Sequence, residues 1–222
     1  PISTLFPYTT LFRSWKLLHN QSAKVQACQI PNDILTSIAS DYLINLYLKY
    51  PLLFNILSFS TFENGMSNLK SNFNGYNELC LRPDVPNLLL NRYLSMSMDD
   101  PDPNWSIFRK GSFTLSAISL ELLLSQHDIL QKLNYNDQKI LLVDAITKFD
   151  AKSKNVQVHD YLGLKSSSLL IVKILQEFNL SKHFTDPESI NLLISFSNST
   201  ATRDDDKLVQ IIQLGKGLIP NL

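Results

Sequence analysis

The apolar positions of this chain recur at steps of three and four residues over most of its length, which is the period of an amphipathic helix. Ser40 is predicted to cap a helix that Pro51 ends. Leu52–Phe59 is apolar on all sides and predicts a short buried helix, and Thr61–Asn72 predicts a weaker helix that contains Gly65. The first half of the chain therefore predicts several short helices.

The second half of the chain is more regular. Asn136 is predicted to cap a long helix, and Asp186-Pro187 and Asp204–Asp206 carry the residue types that begin helices. Leu169–Phe178 is apolar round most of its circumference and is the predicted central helix. The chain has only 6 Gly, which disfavours a barrel or sandwich. We predict an all-α fold, a compact or curved array of short helix pairs with no regular sheet.

The acidic, Pro-containing run Ser95–Trp105 interrupts the helical pattern, because proline cannot donate a backbone hydrogen bond inside a helix. We take residues 99–111 as a loop between two helical halves. The N-terminal half covers residues 30–98 and the C-terminal half covers residues 112–222. Residues 15–29 are polar and mixed, and are predicted to form a linker or a short helix.

Thr4–Ser14 reads TLFPYTTLFRS and has neither a helical nor a strand period. This stretch resembles the in-frame translation of a common DNA-sequencing adapter. The resemblance implies that residues 1–14 are a non-native arm and that the natural protein is entered near Trp15, with its own start, and any signal peptide, missing. A natural irregular arm is the alternative.

Composition excludes some classes of function. At 44% hydrophobic residues the chain can bury a core, and 20 basic against 20 acidic residues give a net charge of zero. A nucleic-acid-binding protein usually has a basic excess, so we expect no nucleic-acid partner. The apolar run Tyr42–Leu57 is interrupted by Asn45, Lys49 and Asn55, so we expect no transmembrane segment.

One loop has part of a calcium-binding pattern. Asp100, Asp102 and Asn104 match the first three ligand positions of an EF-hand loop, but Trp105 stands where glycine is needed and Gly111 where the bidentate glutamate belongs. We therefore interpret this loop as a solvated acidic turn. Cys28 and Cys80 are too few for a structural zinc site, and a disulfide between them is possible only if the fold brings them together.

Other short patterns carry little chemistry. His19, His127, His159 and His183 are scattered, so we expect no metal centre and no cofactor. Ser67–Lys70 fits S-x-x-K without the elements that accompany it in penicillin-recognising serine enzymes. Gly163–Ser168 reads GLKSSS, which could present amides and hydroxyls to an anion at a helix start, although an ordinary serine cap is the commoner interpretation.

A family resemblance covers Ile30–Tyr93. The features that carry it are structural in character, and they are Ile30-Pro31, Tyr50-Pro51-Leu52, Phe73-Asn74-Gly75, Glu78-Leu79 and Arg82-Pro83-Asp84. In these features the span resembles an uncharacterised family of exported helical proteins of Bacteroidota. The resemblance implies a helical fold and export to the periplasm or cell surface, and it implies no activity. Arg82 is expected to pair with Glu78 or Asp84.

The leading hypothesis is a non-catalytic helical binding or scaffold module that is exported and has an unknown protein or surface partner. The first alternative is a hydrolase or lyase on a helical scaffold, using carboxylates such as Glu78, Glu121 or Asp160 that only the fold could bring together. The second alternative is a cytosolic helical adaptor. A cleft with converging carboxylates would favour an enzyme, and an exposed apolar face would favour binding.

Overall fold

The computed structural model describes residue 18 and residues 20–99, 101–102, 104–177, 184, 186–197 and 203–221. Every regular element in these ranges is a helix, so the predicted all-α class is confirmed. The arm predicted at residues 1–14 lies outside the described residues. The described helices include none that is long and apolar enough to cross a bilayer.

The chain divides into two compact units, Pro1–Val85 and Pro86–Leu222. The boundary between the units lies between Val85 and Pro86, so it does not coincide with the loop predicted at residues 99–111. The end of that predicted loop is helical instead, since Ser106 caps a helix by accepting a hydrogen bond from the backbone N–H of Arg109 at 3.3 Å.

The described part of the first unit consists of short helices and one 3₁₀ helix. Helix α1 lies within the predicted linker 15–29, where the side chain of Asn20 caps it. The elements of this unit are α1 (Gln21–Ala27), α2 (Asn32–Ser37), α3 (Ser40–Leu48), a 3₁₀ helix (Leu53–Ser58), α4 (Phe62–Asn72) and α5 (Asn74–Leu81). Helix α3 packs against α5, and α4 packs against the 3₁₀ helix.

Gly65 explains how α4 approaches the 3₁₀ helix so closely. A Cβ atom at Gly65 would lie 2.5 Å from the carbonyl oxygen of Ile56, which is too close for any other residue. The glycine that weakens α4 as an isolated helix therefore permits its packing.

Arg82 joins the end of α5 to α2. Its Nε donates to Glu78 Oε1 at 2.9 Å, which confirms the pairing expected with Glu78. Its two terminal nitrogens donate to the carbonyl oxygens of Ile38 and Leu35 at 2.6 and 2.7 Å. The guanidinium thus satisfies carbonyl groups at the C-terminus of α2 that have no partner within that helix.

The second unit is built round α10 (Val156–Glu177), which consists of two helical stretches separated by a break at Asp160. This helix packs against α7, α8, α9, α11 and α12, which makes the region predicted as the central helix the centre of the unit; Phe178 lies outside the described residues. The surrounding elements are α6 (Val85–Leu94), α7 (Ile107–Leu124), α8 (His127–Leu130), α9 (Tyr135–Lys154), α11 (Pro187–Ser197), α12 (Asp205–Leu218) and a 3₁₀ helix (Ile219–Asn221).

Two of the predicted helix starts are confirmed and two are wrong. Asp186 and Asp204 accept hydrogen bonds from the backbone N–H groups three residues ahead, at 2.7 and 3.1 Å. Helix α9 begins at Tyr135 because Asn134, not Asn136, accepts from the N–H of Asp137 at 2.9 Å. Ser40 lies inside α3, where its hydroxyl donates to Asp84 at 2.8 Å instead of capping the helix.

We expect Ile174→Asp to unfold the second unit. Ile174 has no exposed surface, so the substitution would place an unpaired carboxylate in the core at a cost of several kcal/mol, which is a large part of a domain's stability. Ile194→Asp is the matched control, because Ile194 is 56% exposed. A thermal melt followed by circular dichroism should separate the two variants. Equal melting temperatures would contradict the central position of α10.

Candidate functional site

The second unit encloses a cluster of polar side chains within its apolar core. Glu121 comes from α7, Lys152 from α9, and Ser166 and Ser167 from α10, and all four side chains have no exposed surface. Tyr93 of α6 completes the cluster and is equally buried. We call these five residues the Glu121 cluster. Each of the helices α6, α7, α9 and α10 therefore contributes at least one polar side chain to the cluster.

The Glu121 carboxylate is the centre of the cluster. Lys152 Nζ lies 2.7 Å from both Oε1 and Oε2. The Tyr93 hydroxyl donates to Oε1 at 2.8 Å, the Ser167 hydroxyl donates to Oε1 at 2.7 Å, and the Ser166 hydroxyl donates to Oε2 at 2.5 Å. Both carboxylate oxygens are thereby saturated with donors, as a charge removed from water requires.

Lys152 is saturated as well. Besides the carboxylate, its ammonium donates to the carbonyl oxygen of Gly163 at 3.0 Å and to Ser167 Oγ at 2.9 Å. The Ser167 hydroxyl accepts from the ammonium and donates to the carboxylate, so it links the two charges. This is the hydrogen-bond pattern of a paired, charged Lys and Glu, with each side chain holding the other in place.

The two interpretations of Gly163–Ser168 made from the sequence are both wrong. These residues lie within the helical stretch that follows a break at Asp160, and Ser166–Ser168 are fully buried, so their hydroxyls neither cap a helix nor face an anion from solvent. Ser166 and Ser167 instead face Glu121. A usable signal was present in the sequence: three consecutive serines lead directly into an apolar run, and Glu121 is flanked by leucines on both sides. Polar residues in such a setting need buried partners.

Burial dominates the electrostatics of the cluster. It lowers the pKa of Lys152, although the nearby Glu121 charge acts in the opposite direction. Burial also raises the pKa of Tyr93 well above its ordinary value, and the adjacent Glu121 carboxylate raises it further. Tyr93 is therefore a neutral donor at physiological pH.

A second ion pair lies beside Tyr93. Lys148 Nζ lies 2.5 Å from Asp144 Oδ2 and 4.6 Å from the centre of the Tyr93 ring. The ammonium thus contacts the face of the aromatic ring, which is an attractive arrangement. Burial raises the pKa of Asp144, although Lys148 acts to lower it. Tyr93 is consequently held at its hydroxyl by Glu121 and at its ring by Lys148.

The Glu121 cluster has residue types found in hydrolases but not their arrangement. The Lys152 ammonium donates to a carboxylate, so it is not a base for Ser167, and both serine hydroxyls donate to Glu121. No residue of the cluster lines the pocket bordered by Gln21 and Gly65 or the pocket bordered by Pro101 and Gly111. The arrangement holds four helices together and offers a substrate no access.

The other carboxylates considered from the sequence do not join the cluster. Glu78 belongs to the first unit and pairs with Arg82. Asp160 follows the start of α10, and its carboxylate accepts from the backbone N–H of Tyr161 at 2.6 Å. Each of the three carboxylates thus has its own separate set of partners.

A groove opens on the surface of the second unit where α7 begins. It encloses about 480 Å³ and is lined by Pro101, Ile107, Lys110, Gly111, Asn155, Gln157 and Val158. We call it the α7 groove. One wall is the first turns of α7 and the other is the turn from α9 into α10. The hydroxyl of Thr114 donates to the carbonyl of Val158 at 2.9 Å and fixes one wall to the other.

Large apolar side chains surround the α7 groove. Ile107 and Phe108 are 90% and 82% exposed, and Val156 is 46% exposed. Behind them, Trp105 packs edge-on against Phe113 at 5.9 Å, and the Arg109 guanidinium lies 3.9 Å from the centre of the Trp105 ring. An exposed apolar pair beside a groove is a typical feature of a binding surface.

The remaining candidate groups are dispersed. Cys28 is buried and does not form a disulfide with Cys80, and burial raises the pKa of the Cys28 thiol to about 11. His127 pairs with Glu177, His159 is buried, and His19 and His183 lie outside the described residues. Within the described ranges no group of His, Cys, Asp and Glu is arranged to hold a metal ion. Asp100 of the acidic loop lies outside those ranges.

Comparison with known proteins identifies no relative: no family model, no curated protein and no solved structure matches this chain.

Removing the partner of Glu121 should be strongly destabilising. Lys152→Met leaves a buried carboxylate without its counter-charge, and we expect the free energy of unfolding to fall by about 3–5 kcal/mol. Lys154→Met, on the exposed side of the same helix, should change it by less than about 0.5 kcal/mol. Urea denaturation measures both variants. If the two substitutions prove equivalent, the ion pair does not stabilise the fold.

Proposed function

We propose that this protein is a non-catalytic helical binding module, and that the α7 groove receives an apolar segment of a protein partner. The observation that carries the proposal is the nearly complete exposure of Ile107 and Phe108 beside a groove of about 480 Å³. Such a volume is in the range of pockets that hold ligands.

The character of the groove supports a peptide-like occupant. Ile107, Val158 and Pro101 supply an apolar lining, and the side-chain amides of Asn155 and Gln157 can donate to and accept from a peptide backbone. Because the exposed Ile107 and Phe108 extend the apolar surface beyond the groove, a peptide segment covers more of it than a small molecule would.

The enzyme alternative lacks an accessible site. Of the three carboxylates considered for an enzyme, Glu121 is the one that contacts lysine, serine and tyrosine side chains. The Glu121 cluster, however, has no surface exposed to solvent. The exposed apolar pair is therefore the stronger support for a function, and it supports binding.

We propose further that the module acts outside the cytoplasm. The support is the resemblance of Ile30–Tyr93 to exported helical proteins, and the alternative is a cytosolic adaptor. Fractionation of cells that express the complete natural gene separates the two: export predicts the protein in the periplasm or at the surface, and retention in the cytoplasm contradicts it.

Gly111→Leu tests the groove directly. A Cβ atom at Gly111 has no heavy atom within 4 Å, so the leucine side chain can project into the groove without disturbing the fold. Leucine is also the better helix former by roughly 0.5–1 kcal/mol, so the variant should be at least as stable as the wild type. We expect peptides selected on the wild-type protein from a phage-displayed random library to bind Gly111→Leu more than tenfold more weakly.

Gly217→Leu is the matched control. Gly217 also lies in a helix and has no heavy atom within 4 Å of its added Cβ, but it is not in the groove. It should bind the selected peptides with wild-type affinity, and Ile107→Asp/Phe108→Asp should bind them weakly. The proposal fails if no peptide with apolar anchors is enriched, or if the enriched peptides bind Gly111→Leu as well as they bind the wild type.

A further inference from the structure

His159 is buried near the start of α10 and holds the turn that follows α6. Its Nε2 lies 3.0 Å from the carbonyl oxygen of Met98. Because a carbonyl oxygen only accepts, Nε2 carries the proton and donates it to this bond. Nδ1 is then the unprotonated nitrogen, and it is buried without a hydrogen-bond partner.

Met98 attaches its segment to the interior. In the segment Ser95–Asp99, which we call the strap, Met98 is 2% exposed, whereas Ser95, Ser97 and Asp99 are exposed. The start of the strap is bonded to α6, because the backbone N–H groups of Ser95 and Met96 donate to the carbonyl oxygens of Asn91 and Tyr93 at 3.0 and 3.1 Å. Beyond Met96, the strap is held by the buried Met98 side chain and by the hydrogen bond from His159 to the Met98 carbonyl. Few contacts oppose its local opening.

The backbone that carries the imidazole is fixed. The backbone N–H of His159 donates to the Asn155 carbonyl at 3.2 Å, and the preceding Val158 carbonyl is bonded to Thr114. The next residue, Asp160, has φ 52°, a strained conformation for a residue other than glycine that persists only where the surroundings enforce it. If the contact to Met98 breaks, the strap moves and the imidazole stays.

The surroundings of His159 favour its neutral form while the strap is closed. Burial, the largest effect, lowers the pKa of His159, and the Lys152 ammonium of α9 lowers it as well. The hydrogen bond to the Met98 carbonyl and the carboxylates of Glu121 on α7 and Asp99 in the strap raise the pKa. The net result is a pKa below the ordinary value for histidine. From α7 the Phe113 ring also lies 6.1 Å away and offers no acceptor to Nδ1. A protonated Nδ1 would thus be a buried hydrogen-bond donor without an acceptor.

We propose that His159 is an acid-sensitive latch, which holds the strap Ser95–Asp99 at neutral pH and releases it when the imidazole is protonated. The open strap exposes the imidazole to water, where the cation is solvated. The strap leads to Pro101, which lines the α7 groove, so its release alters that wall.

The sign of the pH dependence follows from linkage. The closed state has the lower pKa and therefore binds fewer protons than the open state. The free-energy advantage of the closed state over the open state is complete above the ordinary histidine pKa of about 6.5. This advantage is lost as the pH falls from there through the pKa that His159 has in the closed state. Between about pH 7.5 and pH 5 the open population can rise by up to about thirtyfold.

Methionine oxidation by hydrogen peroxide measures the release, because it requires access to the sulfur, which does not titrate in this range. We expect Met98 to be oxidised at least several-fold faster at about pH 5 than at about pH 7.5. Met66, which is 2% exposed in the first unit, should remain protected at both values and reports unfolding of that unit. Far-UV circular dichroism at the two pH values reports unfolding of the second unit. In mass spectrometry, Met66 lies in a separate tryptic peptide, and fragment ions of the peptide Tyr93–Arg109 distinguish Met98 from the neighbouring Met96.

Two histidine variants complete the test. In His159→Gln the amide can still donate to the Met98 carbonyl but does not titrate, so the pH dependence of Met98 oxidation should disappear. His127→Gln, at an exposed histidine of the same unit, should retain it. The latch is refuted if Met98 oxidation in the wild type is independent of pH, if His159→Gln keeps the wild-type dependence, or if Met66 becomes reactive together with Met98.

Discussion

The ion pair between Glu121 and Lys152 is the constraint on which the second unit depends. Its charges have no access to water, so the structure stabilises them only if Tyr93, Ser166, Ser167 and the Gly163 carbonyl are all in place. Together with Glu121 of α7 and Lys152 of α9, these groups bring together α6, α7, α9 and α10. Apolar contacts alone tolerate small shifts between helices, whereas hydrogen bonds of 2.5–3.0 Å do not. The network therefore fixes the relative position of four helices in a way that leucine packing would not.

The polar side chains of the Glu121 cluster are enclosed in the second unit, apart from the groups that this unit exposes at its surface. The residues that could have served an enzyme satisfy one another, and they are enclosed. The beginning of α7 is accessible to other molecules, because Ile107 and Phe108 project into solvent next to the groove. His159 lies between these two regions: it is influenced by the charges of Lys152 and Glu121, it follows the groove residue Val158, and it holds Met98.

Sequence periodicity was sufficient for the fold class and for the centre of the second unit, because apolar spacing reports which face of a helix is buried. The starts at Asp186 and Asp204 were also predictable, since a capping residue acts within its own helix. The Glu121 cluster was not, because its hydrogen-bonded side chains are 15 to 46 positions apart along the chain and meet only through tertiary packing. For the same reason Ser166 and Ser167 were misinterpreted from local pattern, and Ser40 was assigned to a cap although its partner is the distant Asp84.

A double-mutant cycle between Glu121 and Lys152 tests the central claim most directly. Urea denaturation of the wild type, Glu121→Gln, Lys152→Met and the double variant gives the energy by which the two residues are coupled. Because each single variant leaves one buried group without its partner and the double variant leaves neither charge, the double variant should be less destabilised than the sum of the single variants by at least about 1.5 kcal/mol. A coupling energy below about 0.5 kcal/mol would mean that the two side chains contribute independently, and that the packing of apolar side chains, not the ion pair, positions the helices.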